Sequence, residues 1–252
     1  MQAINMIRQN KWPKTLPLLT AEQQHISDDF MAYWHTVLPS RYGIVDEFNH
    51  SYPVQHAPDH FERTLEIGAG LGEHLKYEKL TQEQRKNYFC LDIRANMVEV
   101  IHQTFPDVQA IVHDCQQPLT MFKDGYFDRI LAIHVLEHLP DLPAAIREAY
   151  RLIDKKKGIL SILIPCEGGL AYGLSRRISA QRIFEKRYKQ SYQWFFKREH
   201  INLANEILDE LRPYFEISHQ RMFPLPLLPV KTLNLAIGMT LKPRSRPLFS
   251  TA

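Results

Sequence analysis

The chain has 252 residues, 44% of them hydrophobic and 23% charged, with a formal net charge of +3. That length supports one large domain, or one domain with a small appendage, around a substantial core, and so slight a basic excess does not by itself call for a nucleic-acid partner. The three cysteines (Cys90, Cys115, Cys166) share no close spacing, which argues against a disulfide framework or a cysteine zinc site and fits a reducing compartment.

Met1 to Thr20 lacks the apolar core of a secretory leader, and no run approaches the ~20 apolar residues of a membrane span. A cytoplasmic location is therefore expected, with no transmembrane segment. Residues 1–60 form an N-terminal extension rich in His, Pro and aromatic residues. Within it Thr20 is expected to cap a helix running to Val37, with Glu22 and Gln23 in its first turn and Pro39 as its stop. Ile44 to Pro58 has no clear periodicity and reads as a loop crowded with His50, Ser51, Tyr52, Pro53 and His56.

From residue 61 the pattern changes, and residues 61–252 read as one domain. Thr64 to Ile67 reads as a short strand, Gly68 to Gly72 as a tight turn, and Glu73 to Leu80 as a helix. Further strands are expected over Tyr88 to Ile93, Val108 to Val112, Phe127 to Val135 and Ile159 to Ile164, with helices over Ala95 to Phe105 and Leu142 to Ile153. Strands separated by helical stretches of ~10–15 residues predict an α/β fold with a parallel sheet. The alternation breaks at residues 166–200, an insertion, and resumes with a helix over Ile201 to Leu211 and strands over Tyr214 to Met222 and Leu233 to Leu241.

The strongest local signal is Glu66-Ile67-Gly68-Ala69-Gly70-Leu71-Gly72, between a strand and a helix. Glycines there let the backbone turn sharply and approach a ligand. The spacing is E-x-G-x-G-x-G and misses the dinucleotide fingerprint, whose last glycine would fall at Glu73. Asp92 follows Gly70 by 22 residues, at the end of the second strand. A carboxylate there can accept hydrogen bonds from a ribose diol; the plainer reading is a surface Asp capping the next helix. Asp114 ends the third strand, where an adenine edge would lie.

Together with Leu91 to Met97, His113-Asp114 and Phe127 to Leu139, these residues resemble the class I S-adenosylmethionine-dependent methyltransferases over roughly residues 60–165. The resemblance implies a Rossmann-like, mostly parallel seven-stranded sheet with helices on both faces, its last strand antiparallel. It also implies S-adenosyl-L-methionine as cofactor. Glu66 and the turn of Gly68, Ala69, Gly70 and Gly72 would receive the methionine part, Asp92 would hold the ribose, and Asp114 and the Cys115 backbone would face the adenine. Ile93 and Met97 would pack nearby, and His134 would complete the pocket. Lys157 stands where the family often carries a second glycine before Gly158.

The catalytic candidates are His134, Glu137 and His138, in His134-Val135-Leu136-Glu137-His138; His134 and His138 would share a face if this stretch were helical. H-x-x-E-H is also a zinc-peptidase pattern, but that requires a long helix, and Pro140 follows too soon. Ubiquinone-pathway and small-RNA relatives carry E-x-x-E-H here and hold a divalent cation with it. With His134 in place of the first Glu a hard cation is disfavoured, so no metal is assigned, although His200 could serve as a remote ligand. Two readings stay open: Glu137 and His138 as pocket lining without chemistry, or His134 or His138 as general base.

Between Ser175 and Arg198 eight Lys or Arg face one acid, Glu185, with Phe184, Tyr188 and Tyr192 at helical spacing. The segment reads either as an amphipathic lid helix with a solvated basic face or as a surface for an anionic acceptor. By the resemblance, 1–60 and 166–200 would cover the acceptor site. The expected activity is O-methylation of a small molecule, glycan or lipid-linked precursor. An RNA methyltransferase and an inactive methyltransferase-like binding module are the alternatives; nucleic acid is not favoured, since no RNA-binding module is visible. An NAD- or nucleotide-sugar-dependent oxidoreductase is disfavoured by the glycine spacing.

Overall fold

The computed structural model describes residues 11–41 and 43–248, and for 34–41 the backbone alone; residues 1–10 of the extension lie outside the described residues. Two helices open the described chain, α1 (Ala21–Arg41) and α2 (Gly43–Gln55). The sheet then alternates with helices: β1 (Thr64–Ile67), α3 (Gln82–Lys86), β2 (Tyr88–Asp92), α4 (Ala95–Thr104), β3 (Gln109–Val112), β4 (Arg129–Ile133), α5 (Leu142–Leu152) and β5 (Ile159–Pro165). After β5 come α6 (Leu170–Arg176), a wide turn over Arg177–Gln181, α7 (Arg182–Tyr188), α8 (Gln193–Glu199), α9 (Ala204–Leu211), β6 (Phe215–Phe223) and β7 (Ala236–Pro243).

The seven strands lie in the order β3-β2-β1-β4-β5-β7-β6, with β7 antiparallel to both β5 and β6 and the other neighbours parallel. Strand order reverses between β1 and β4, and an open α/β sheet forms its ligand crevice at the carboxyl ends beside that point. The strand period places Leu65 and Ile67 of β1 in the main core with Leu91, Ile130 and Ile162. Glu66 points to the other face, among Ala69, Leu75, Tyr88, Cys90 and Leu131. Helix α5 forms because Asp141 caps it, accepting from Ala144 N at 3.1 Å, and because Leu142, Ala145, Ile146, Ala149 and Leu152 make one buried stripe.

Several expected elements differ. Thr20 does cap α1, through a reciprocal pair with Gln23 at 3.2 and 3.0 Å, but the helix runs past Pro39 to Arg41. The expected loop from Ile44 to Pro58 is mostly helix α2, because Phe48 and Tyr52 fall on one face and bury against Leu163 and Ala236. Gly238 makes room for this: a Cβ there would lie 2.7 Å from the Tyr52 ring. The helix expected over Glu73 to Leu80 shrinks to one tight turn, Glu73–Lys76. Its chain is drawn inward, where the buried Arg129 guanidinium meets Glu78 at 2.7 Å and donates to Pro53 O at 3.0 Å, tying that segment to α2.

The extension and the insertion share a core. Phe30 of α1 packs edge-on against Phe184 and Phe195, at centroid distances of 5.0 and 5.1 Å, with Tyr188 and Tyr192 around it. The aromatic residues at helical spacing in the sequence are thus the inner face of the insertion. Most of its cations lie outside, Arg177, Arg182, Lys186, Arg187, Lys189 and Lys197 being exposed, while Arg176 turns onto the Phe196 ring.

Candidate functional site

The turn after β1 is held by its own strand neighbours. Ala69 N donates to Leu91 O at 3.0 Å, Gly72 N to Ala69 O at 2.9 Å, and Gly70 N to Asp92 Oδ2 at 3.0 Å. Gly68 and Gly70 adopt φ of 67° and 57°, where side chains are strained. A Cβ on Gly68 would also lie 2.4 Å from Val135 Cγ2, so this glycine lets the turn touch the chain leaving β4. Asp92 is buried beside the turn and also accepts from Arg94 N at 2.9 Å and Arg94 Nε at 3.1 Å. His113 N donates to Asp92 O at 3.0 Å, which brings the end of β3 alongside.

Asp114 Oδ1 accepts from Gln116 N and Nε2, both at 2.9 Å, and Gln116 Oε1 accepts from Asp141 N at 2.6 Å, closing that loop onto the β4 side. Cys115 is buried; burial and the Asp114 charge push its thiol up to about 12. Ile93 is 63% exposed at the edge of the crevice, with Met97 half-buried one turn along. Glu66 does not open onto this surface. Its carboxyl is buried behind the turn and accepts from the Tyr88 hydroxyl at 2.7 Å, and burial pushes it up to about 8.

His134 follows β4 at φ 53°, a left-handed conformation that non-glycine residues rarely adopt. Its N–H donates to Leu163 O at 2.9 Å, and Nδ1–H donates to Glu137 Oε1 at 3.1 Å. Only Leu136–His138 forms a helical turn, so His134 and His138 flank Glu137 rather than stack along one helix face. Glu137 is fully buried. Burial alone would raise its carboxyl, but the His134 hydrogen bond and the nearby histidine charges outweigh this and hold it at about 2. His138 Nδ1 donates to Glu199 O, and burial lowers its tendency to protonate.

Three residues here had no place in the sequence reading. Asn202, fully buried before α9, donates through Nδ2 to Leu136 O and Leu139 O, both at 2.8 Å, and so fixes the 134–139 turn. Glu167, directly after β5, pairs with His200, whose ring lies edge-on to His138 at 5.0 Å. Tyr172 is half-buried beside Glu167, and burial and the charges of Glu167 and Glu137 push its phenol upward. A carboxylate at a strand's carboxyl end was a usable signal for Glu167; nothing local marks Asn202 or Tyr172.

Two chemical capacities meet at this edge. The glycine turn, Asp92, Ile93 and the Asp114 loop lie side by side, with a carboxylate at one point and apolar surface beside it. Opposite it, the Nδ1–H bond from His134 to an ionised carboxylate leaves Nε2 as a proton acceptor. Among the described residues no group of three or more His, Cys, Asp or Glu side chains is placed to hold a metal ion.

Residues 65–162 match a family model described as a methyltransferase domain. No curated protein matches the chain by sequence. Among solved structures, a TehB-like SAM-dependent methyltransferase from Corynebacterium glutamicum superposes with a TM-score of 0.58 at 14% identity, covering 86% of this chain and 98% of its own. A protein described as a possible histamine N-methyltransferase from Thermotoga maritima gives 0.52 at 17% identity, with 83% and 98% covered. The CurJ carbon methyltransferase gives 0.54 at 20% identity, with 76% of this chain and 51% of that chain covered. At such identities these likenesses carry the fold, and the matched domain carries the chemistry. Residues 65–162 form a methyltransferase domain, and the fold around it is one shared with S-adenosylmethionine-dependent methyltransferases.

Proposed function

We propose that the protein methylates a hydroxyl oxygen of a small-molecule, glycan or lipid-linked acceptor, with His134 as general base and Glu137 as the charge that orients it. The observation that carries this reading is the His134–Glu137 pair. A strained backbone holds a histidine at the carboxyl end of β4, with Nδ1 committed to a buried, ionised carboxylate. A hydroxyl is a poor nucleophile until its proton is removed, and a positioned imidazole does this near neutral pH.

The residues fit the cofactor. Gly68 and Gly70 leave room where any Cβ would collide or strain, Asp92 offers a buried carboxylate to a ribose, and exposed Ile93 with Met97 suits an adenine face. The Asp114 carboxylate and the Cys115 backbone would meet the adenine edge. Glu66, protonated near neutral pH, would support the methionine end from behind the turn through hydrogen bonding rather than charge. When bound, the cofactor supplies an electrophilic methyl group on a sulfonium, open to in-line attack. His138 and Glu167, through His200, would line the acceptor side. The N-terminal helices and the 166–200 insertion, joined around Phe30, would close over it and exclude water.

Titration of S-adenosylhomocysteine into the wild type and Asp92→Ala, with NAD as control, tests the cofactor side. Asp92→Ala should weaken binding by about 1–3 kcal/mol, the loss of a charged hydrogen-bond partner. On a panel of hydroxyl acceptors, His134→Asn, which tolerates the left-handed backbone, should lower kcat by about 10²–10⁴-fold with cofactor affinity kept. An unchanged kcat would remove His134 as base, and NAD binding in place of S-adenosylhomocysteine would remove the whole reading.

A further inference from the structure

Leu170, Leu174 and Ile178 fall four residues apart along α6 and the turn after it, so they share one face. They are 76%, 62% and 67% exposed. The opposite side of α6 faces inward, with Tyr172 half-buried against the main core and the Arg176 guanidinium 3.9 Å over the Phe196 ring. Next to this stripe runs the 225–233 loop, where Leu225, Leu228, Val230 and Leu233 are exposed and Leu227 is 93% exposed. The two segments adjoin: a Cβ on Gly169 would lie 2.6 Å from Lys231 O, and α6 packs against the Lys231–Leu233 turn.

The display of these leucines is built into the backbone. Asn234 is fully buried; its Oδ1 accepts from Leu225 N at 2.7 Å, and its Nδ2 donates to Leu228 O at 2.9 Å and Val230 O at 3.0 Å. Pro224, Pro226 and Pro229 restrict the same loop. A continuous run of exposed aliphatic side chains on a braced scaffold is unusual for a free surface and marks a binding face.

Charge selects the partner. Arg177, Arg182 and Lys186 beside the stripe are exposed and enter no ion pair among the described residues. Lys231 lies at the foot of the loop. Aliphatic side chains that protrude within a rim of cations match the boundary of an acidic bilayer, where leucines enter the acyl region and cations stay with the phosphates. No described helix is long and apolar enough to cross a membrane, so the contact is interfacial.

We infer that the face made by α6 and the 225–233 loop docks the protein on an anionic lipid bilayer. Because α6 begins just after Glu167, docking brings the mouth of the acceptor site to the headgroups; that consequence alone rests on the methyltransferase reading above.

The test is co-sedimentation of the full chain with vesicles of phosphatidylcholine, with and without a minority of phosphatidylglycerol. The wild type should sediment with the anionic vesicles and far less with phosphatidylcholine alone. The double variant Ile178→Asp/Leu227→Asp should lose binding by about tenfold or more, from lost apolar burial at the interface. Arg177→Glu/Arg182→Glu should remove the preference for anionic lipid. Both variants should keep the wild-type thermal midpoint and S-adenosylhomocysteine affinity, which separates failure of docking from failure of the methyltransferase reading. Equal sedimentation of wild type and variants, no binding to either vesicle, or equal binding to both overturns the inference. So does a concentration-dependent dimer that Leu227→Asp dissolves, which would assign the face to a second copy of the chain.

Discussion

Glu66 in β1 and Glu137 just beyond β4 are both buried at the carboxyl edge of directly paired strands, yet one is neutral and the other ionised near pH 7. Burial pushes the Glu66 carboxyl up to about 8; the Tyr88 hydroxyl opposes this only in part, and the charges of Glu78 and Glu73 add to it. Burial pushes Glu137 the same way, but His134, His138 and His200 surround it and hold it at about 2. Desolvation is common to both, so the partners decide. One carboxyl is a neutral brace behind the glycine turn; the other is a fixed negative charge beside the histidines.

That contrast predicts opposite pH signatures. Glu66 titrates in the folded protein above the ordinary 4.5, so between 4.5 and about 8 the folded chain holds a proton that the unfolded chain has released. Its contribution to stability is present below 4.5 and is lost as pH rises toward 8. Glu66→Gln, measured by chemical denaturation across this range, should flatten that decline by roughly 3–5 kcal/mol. Parallel curves for wild type and variant would show that Glu66 is not held neutral.

Glu137 shows the reverse. Its folded value lies below 4.5, so its contribution is full above 4.5 and is lost as pH falls toward 2. Glu137→Gln should cost about 2–3 kcal/mol at neutral pH, and the gap to wild type should close in acid. A gap that persists at low pH would mean that the loss is one of packing rather than charge.

The smallest effect sharpens the Glu66 side. Tyr88→Phe leaves a buried carboxyl oxygen without its donor and should cost about 1–2 kcal/mol. It should also move the alkaline loss of stability to higher pH, since the Tyr88 hydrogen bond is what restrains the Glu66 shift. A shift to lower pH would contradict the bonding at this site.

Strands β1, β2, β4 and β5, the glycine turn, Asp92 and the capped helix α5 were legible because each rests on a local cause: a continuous apolar run, a positive φ that only glycine accepts cheaply, or a cap three residues from its target. The antiparallel β7 followed from the resemblance alone, and the structure places it between β5 and β6.

By itself, then, the sequence determined strands β1, β2, β4 and β5, the glycine turn and the place of Asp92 at the end of β2, since their information lies within a few positions along the chain. Tertiary structure alone decided that Ile44 to Pro58 coils into α2, because the gain lies in seating Phe48 and Tyr52 on β5 and β7. It alone set the turn that Asn202 fixes under Glu137, the meeting of Glu167 with His200, and the different protonation states of Glu66 and Glu137. Those features depend on groups far apart in sequence, whose approach, burial and electrostatics exist only once the sheet has brought them together.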